Sequence, residues 1–195
     1  KYNFVPDVKF NLNSVGAENL RKRYVVFYGR IGEEKGIRLL MKMWNQINDI
    51  PLVVMGGGPL EREFSEWAAN KDNVYFLGYT EHRKCLTIVK KCEFVIFPSI
   101  WYEGCSMVEI ETESLGKPLI ATDLGFSAEA IENGVNGYKI PLGDLASFTS
   151  TVKELWKKPK LCQQMGINSR MDYEGKYLPD ANYKELMQIY KNSQV

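Results

Sequence analysis

The chain has 195 residues, 45% of them hydrophobic and 25% charged, which suits one globular domain with a core of ordinary size. A formal net charge of +1 gives no broad field to gather nucleic acid or a membrane surface, and no apolar run is long enough for a membrane-spanning helix. Four cysteines without Cys-x-x-Cys spacing and a single histidine argue against a structural zinc site, and unpaired thiols fit a reducing, cytoplasmic compartment.

Residues 1–23 are polar and weakly patterned, with Asn3-Phe-Val-Pro-Asp7 as a turn-like entry, and on composition alone read as a disordered end. Tyr24 to Tyr28 is a β-branched and aromatic run, hence a strand. It runs into Gly29-Arg30-Ile-Gly-Glu-Glu-Lys35-Gly36, after which Ile37 to Ile47 shows helical spacing of apolar residues. A glycine-rich loop with one Arg and one Lys suits a diphosphate. Arg offers a planar fork and Lys a mobile point charge, each charge-assisted bond being worth roughly 1.5–3 kcal/mol. Taken alone, either residue reads more readily as a solvated loop charge than as a phosphate ligand.

Pro51 to Met55 is the second strand, followed by Gly56-Gly57-Gly58-Pro59. A dinucleotide fingerprint requires a glycine where Glu61 stands, which argues against a nicotinamide cofactor. Pro59 is expected at the first position of the next helix. Asn73 to Leu77 is the third strand, closed by Gly78-Tyr79-Thr80, with a helix from about Glu81 to Lys91. His82, alone at that helix start, reads as a surface residue.

The next unit is the most informative. Cys92 to Phe97 is a buried strand stopped by Pro98, and Pro118 to Thr122 reads as the strand after it. Between them, Gly104 is expected to make a tight turn, and Ser106 with Glu109 has the spacing of a capping box, so a helix should begin there. Its first turn would offer free N–H groups and the positive end of a helix dipole, a site for phosphate. Glu103 and Glu111 bracket this end, and carboxylates repel phosphate, so hydroxyl groups should lie beside them. A sugar nucleotide has both parts. Glu109 is explained by the capping box and Glu113 as a charge on the helix surface. Beyond, a helix is expected to about Glu132, a turn at Asn133-Gly-Val-Asn-Gly137, a strand at Tyr138 to Ile140, and helices over 143–157 and about 159–170. A last helix, Tyr183 to Tyr190, carries Tyr183, Leu186, Met187 and Tyr190 on one face.

Strands alternating with helices of about a dozen residues predict an α/β fold, a Rossmann-like, doubly wound parallel sheet with helices on both faces. The singled-out loops all follow strands and should meet at one edge.

Glu103 and Glu111 with seven residues between them, then Gly116-Lys117-Pro118, resemble the signature of the retaining glycosyltransferases of family 4. The spacing Gly-Arg, four residues, Lys-Gly also resembles that family's phosphate-gripping loop. The resemblance implies the C-terminal, donor-binding half of a GT-B enzyme. Residues 1–23 would be the interdomain linker, 24–178 the donor-binding domain, and 179–195 a helix that crosses to an N-terminal domain or else packs on this domain's own sheet. By resemblance, Arg30 and Lys35 neutralise the diphosphate leaving group and Glu103 accepts from the transferred sugar, as the catalytic set. Glu111 takes the ribose hydroxyls, Gly29, Gly57 and Thr80 approach the donor through backbone, and Gly104, Cys105, Ser106, Met107 and Val108 bring the helix start to the phosphate.

The implied donor is a UDP- or GDP-sugar, without metal or other cofactor, and the acceptor a saccharide or lipid-linked sugar in surface polysaccharide biosynthesis. The acceptor site and any peripheral membrane contact would belong to the N-terminal domain, without which the chain would bind donor but transfer nothing. The family usually has an aromatic at Cys105, Gly or Pro at Ser106 and Ala at Thr112, so sugar preference does not carry over. Paired carboxylates also occur in glycoside hydrolases, but the Arg and Lys loop would have no purpose there. A non-catalytic nucleotide or phospho-ligand module of the same fold is the alternative.

Overall fold

The computed structural model describes residues 2–7 and 22–192, so residues 1 and 8–21 of the predicted linker, and 193–195, lie outside the described residues. Six strands form one parallel sheet, β1 (Val25–Tyr28), β2 (Leu52–Met55), β3 (Val74–Phe76), β4 (Val95–Phe97), β5 (Leu119–Thr122) and β6 (Gly137–Ile140), in the order β3-β2-β1-β4-β5-β6. The register is direct, with Val25 opposite Leu52 and Val95 opposite Leu119. Every residue of β1, β2, β4 and β5 is buried, as expected of parallel strands covered on both faces.

Among the described residues, eight α-helices connect and cover the sheet. They are α1 (Ile37–Trp44), α2 (Glu61–Ala68), α3 (His82–Lys91), α4 (Met107–Ser114), α5 (Phe126–Ala130), α6 (Leu145–Trp156), α7 (Pro159–Lys176) and α8 (Pro179–Asn192). Strand periodicity sends alternate residues to opposite faces. Val25, Phe27, Leu52, Val54, Ile96 and Ile120 face a core with Leu40 and Trp44 of α1 and Phe148, Val152 and Leu155 of α6. Val26, Tyr28, Val53, Met55, Val95 and Phe97 face Leu86, Ile88 and Val89 of α3. A third cluster joins Val5, Ile110, Phe126, Tyr173 and Tyr177, and so ties α4, α5 and α7 to the segment 2–7.

Element order and type agree with the sequence, while several details do not. Helix α2 starts at Glu61 after Leu60, so Pro59 stands outside the helix rather than at its first position. Helix α7 runs past Arg170 to Lys176, held there by Tyr173, which is buried and donates its hydroxyl proton to Val5 O at 2.7 Å. The apolar face of α8 is not packed on the sheet, since Tyr183 is 63% and Tyr190 57% exposed.

Trp44 anchors the larger core, with no exposed surface and its indole N–H on Ile50 O at 3.1 Å. Trp44→Ala should cost about 3–5 kcal/mol, a large part of the roughly 5–15 kcal/mol that holds a domain folded. A shift of the urea midpoint by the corresponding amount would verify this; a near-neutral change would show that α1 is not a keystone of the core.

Candidate functional site

The strand order reverses between β1 and β4, and at such a switch point the loops after the two strands part and leave a crevice at their carboxyl ends. The loops after β1, β2 and β3 are laced together by backbone bonds. Gly29 N–H reaches Met55 O at 3.0 Å, Ile31 N–H reaches Gly57 O at 3.0 Å, and Gly56 N–H reaches Gly78 O at 2.8 Å. This lacing requires glycine at Gly56, where φ is 140° and a Cβ would lie 1.8 Å from Gly29 O. Gly36, with φ of 72°, is packed as closely against Pro98 O, which fixes the loop after β1 to the end of β4.

The result is a cleft of about 380 Å³ lined by Tyr28, Gly29, Arg30, Met55, Gly56, Gly57, Tyr79, Thr80, His82, Cys85, Met107, Val108 and Glu111. Seven of the residues singled out from sequence meet in it: Gly29, Arg30, Gly57, Thr80, Met107, Val108 and Glu111. The first turn of α4 opens onto this space. Its first backbone N–H with a helix partner is that of Ile110, on Ser106 O at 3.2 Å, and no side chain caps the turn. The turn is aimed by Tyr28, whose buried hydroxyl donates to Val108 O at 2.8 Å and lies 3.1 Å from Thr112 Oγ1. Burial first, and the nearby Glu111 second, push the Tyr28 phenol well above its ordinary pKa, so it remains a neutral donor. The same two causes push the Cys85 thiol up to about 11, which makes it inert rather than nucleophilic.

Glu111 is only 7% exposed, and its carboxylate meets His82 Nε2 at 2.8 Å. His82 is exposed, as expected, yet it belongs to the site. No periodicity links positions 29 residues apart, so only the tertiary fold reveals the pair. Arg30 lies at the rim, its side chain 65% exposed and 3.3 Å from Glu34 Oε1.

Lys35, Glu103, Gly104, Cys105 and Ser106 do not line the cleft. Lys35 Nζ is paired with Glu103 Oε1, which also accepts from Ser99 Oγ at 3.2 Å. Cys105 Sγ accepts the Asn3 N–H at 3.1 Å and packs toward the third cluster. Gly104 has no positive φ, and a Cβ there would meet nothing within 4 Å, so the turn does not demand glycine.

The acidic cluster needs correction. Ser106 has the extended backbone of a helix cap, but its hydroxyl makes no cap bond, so the expected capping box is absent. Glu109 is fully buried and accepts from Ser127 Oγ at 2.5 Å, while its Oε2 has no partner. Glu113, expected on the surface, is 2% exposed, with Oε2 unpaired. The physical reason is that α4 packs along α7 and, through Ile110, against Phe126 of α5, so all residues from Glu109 to Ser114 are buried. Desolvation pushes Glu109 up to about 7 and Glu113 up to about 9.

With this geometry in view, the sequence profile of the family "Glycosyl transferases group 1" matches residues 9–172. The chain is 29% identical over 160 residues to the D-rhamnosyltransferase WbpZ of Pseudomonas aeruginosa, covering 80% of this chain and 42% of that protein. It is 27% identical over 177 residues to the O-antigen chain mannosyltransferase C of Escherichia coli, covering 89% of this chain and 47% of that protein. It therefore spans about half the length of these relatives. Among solved structures, Anabaena HepE in complex with UDP superposes with a TM-score of 0.78 at 18% identity, over 88% of this chain and 49% of that one. The apo lipopolysaccharide outer core galactosyltransferase WaaB gives 0.80 at 18% identity, over 98% of this chain and 55% of that one.

The two buried carboxyls set a pH dependence of stability. Each keeps its proton in the folded chain at pH values where the unfolded chain, near 4.5, has lost it. Unfolding in that window releases protons, so stability is full below about 4.5 and falls as pH rises toward about 7 for Glu109 and about 9 for Glu113. The slope should be of order 1 kcal/mol per pH unit for each group still titrating only in the unfolded chain. Urea unfolding between pH 5 and 9 should show the decline, and Glu113→Gln should remove the part that persists above neutrality. A slope unchanged by that substitution would place the titration elsewhere.

Proposed function

The chain belongs to the group 1 glycosyl transferases, and on that premise we propose that it is the donor-binding domain of a retaining, family 4 enzyme that transfers a hexose from a UDP- or GDP-sugar. The acceptor in this reading is a saccharide or lipid-linked sugar of surface polysaccharide biosynthesis. The observation that carries the proposal is the convergence of Gly29, Arg30, Gly57, Thr80, Glu111 and the uncapped start of α4 on one cleft at the switch point of the sheet.

Each role follows from chemistry available in place. The N–H groups of Met107 and Val108 would hold phosphate at the positive end of α4. Arg30 at the rim and Lys35 just outside would neutralise the diphosphate as it leaves, which is catalysis by charge stabilisation. Lys35 would reach the diphosphate by loosening its pairing with Glu103, which frees Glu103 to accept hydroxyls of the transferred sugar. Glu111, held by His82, would accept from the ribose hydroxyls. At Gly57 a Cβ would meet only the flexible tip of Glu61 at 3.1 Å, so close approach of the donor is the reading of that glycine. Gly104, Cys105 and Ser106 act in this scheme through the course of the loop. The departure of the diphosphate from the same face as the incoming acceptor would preserve configuration, with no covalent enzyme intermediate and no metal.

Two relatives act on saccharides by name, the D-rhamnosyltransferase and the O-antigen chain mannosyltransferase, and HepE is seen with UDP. In this proposal the acceptor, and any contact with a membrane face, fall to sequence outside the present chain, which alone would bind donor without transfer. Calorimetric titration with UDP, GDP, ADP and their hexose conjugates, without added metal, is the test. Saturable binding of one base is expected, weakened at least tenfold by Arg30→Ala, in keeping with about 1.5 kcal/mol or more for a charge-assisted bond. Glu111→Ala should weaken it comparably. Binding unaffected by both substitutions would overturn the assignment of the cleft.

A further inference from the structure

The proposed chemistry uses neither Glu109 nor Glu113 of α4, and Glu109 is the more enclosed of the two. Its carboxyl is held by Ser127 of α5 at 2.5 Å. The residues just before Ser127 in turn hold the loop that carries Glu103. Phe126 N–H donates to Glu103 O at 2.8 Å, and at Gly125 a Cβ would lie 2.6 Å from the same oxygen, so the two backbones are in direct contact. A continuous path thus runs from Glu109 through Ser127 and Phe126 to the main chain of Glu103, whose carboxylate is paired with Lys35. We propose that Glu109 is a positioning residue of the donor site, a buried strut that fixes Glu103 through Ser127 and the turn between β5 and α5.

The inference rests on the donor-site reading above and deepens it, because it assigns the control of sugar placement to a residue that never touches the donor. Surface packing alone does not account for Glu109. A leucine of similar size would fill the space without a desolvated carboxyl or an unpaired oxygen, and such replacements are often neutral or stabilising. What leucine would lack is the link to Ser127.

Charge adds a second consequence. Around Glu109 stand Glu103, Cys105 and Ser106 before α4, Lys35 of the turn before α1, Glu113 one turn further along α4, and Ser127 of α5, the Ser106 and Ser127 hydroxyls both favouring its charged form. From α7, Asp172 and Lys176 act on Glu113. Burial, helped by the negative charge of Glu103, holds the proton on Glu109 up to about pH 7. When that proton leaves to solvent, a second negative charge appears beside Glu103 and Lys35, where a diphosphate sugar would bind. Sugar-nucleotide affinity should therefore fall as pH rises through neutrality.

Glu109→Leu and Glu109→Gln separate these effects in the full chain. Leucine removes the strut and keeps the volume, whereas glutamine keeps an acceptor for Ser127 and removes the titration. Hydrogen exchange at the Phe126 amide reads the strut without any ligand, and it should accelerate in Glu109→Leu and not in Glu109→Gln. Unchanged protection in Glu109→Leu overturns the strut whatever the ligand does.

UDP-glucose and GDP-mannose are the probes for the site, with UDP and GDP as controls that lack the sugar. Glu109→Leu should weaken the sugar conjugate roughly threefold to tenfold more than the free nucleotide. An equal loss of both would mean a general collapse of the start of α4 and would overturn the positioning role. The parent chain should bind the conjugate several-fold more weakly at pH 8 than at pH 6, and Glu109→Gln should lose this fall. His82→Gln should retain it, which keeps the histidine in the cleft from being mistaken for the titrating group. Faster exchange in Glu109→Leu with no conjugate bound by the parent chain at any pH would sink the donor-site reading, and the proposal with it, while leaving the strut itself demonstrated.

Discussion

The carboxyl edge of this molecule depends on how α4 is held. Its two ends are treated in opposite ways. At the end, Arg170 donates to Ser114 O and Lys90 Nζ to Leu115 O at 2.9 Å, so cations meet the negative pole of the helix and satisfy its last carbonyls. At the start, no side chain caps the turn, and Met107 and Val108 line the cleft. Tyr28 sets the angle between them by bonding Val108 O from the end of β1. A helix fastened at its negative pole and left open at its positive pole is suited to an anionic ligand, because binding needs no rearrangement of the helix itself.

Holding α4 this way has a structural cost. The helix is buried from Glu109 to Ser114, and its sequence still places Glu109, Glu111 and Glu113 there. Each solves the problem of a buried acid differently. Glu111 keeps a partner, His82, and faces the cleft. Glu109 keeps a short bond to Ser127 and a proton that is lost near neutrality. Glu113 has no bond to its Oε2 and stays protonated well above neutrality. A buried carboxyl costs least when neutral, so raised pKa values here are the expected response to desolvation and not by themselves signs of acid–base chemistry.

The outline of the fold was legible because parallel strands read as continuous apolar runs bounded by glycine or proline. Tyr24 to Tyr28, Pro51 to Met55 and Cys92 to Phe97 need no tertiary information to be placed, and the edge they share follows from the alternation with helices. Seven site residues were legible for the same reason, since Gly29, Arg30, Gly57, Thr80, Met107, Val108 and Glu111 all follow strands and converge once the sheet is wound. The order of elements was recoverable where their exact ends were not. Pro59 misled because a proline before a helix serves equally well just outside it.

What stayed hidden was burial around α4. Ser106 and Glu109 have the spacing of a capping box, and nothing local distinguishes a carboxylate that reaches back to its own cap from one that turns inward to Ser127, 18 residues away. Glu113 at four residues beyond Glu109 likewise has the spacing of an exposed helix face. Both patterns assume that one side of the helix meets water, and from Glu109 to Ser114 every residue of α4 is buried. The paired signature Glu103 and Glu111 was read correctly as two bracketing acids, yet the structure gives them unlike surroundings, an ion pair with Lys35 for one and His82 for the other. Glu103 is held at its side chain by Lys35 and at its backbone by Phe126, and the bond from Ser127 to Glu109 joins α5 to α4 beside the apolar contact of Ile110 with Phe126.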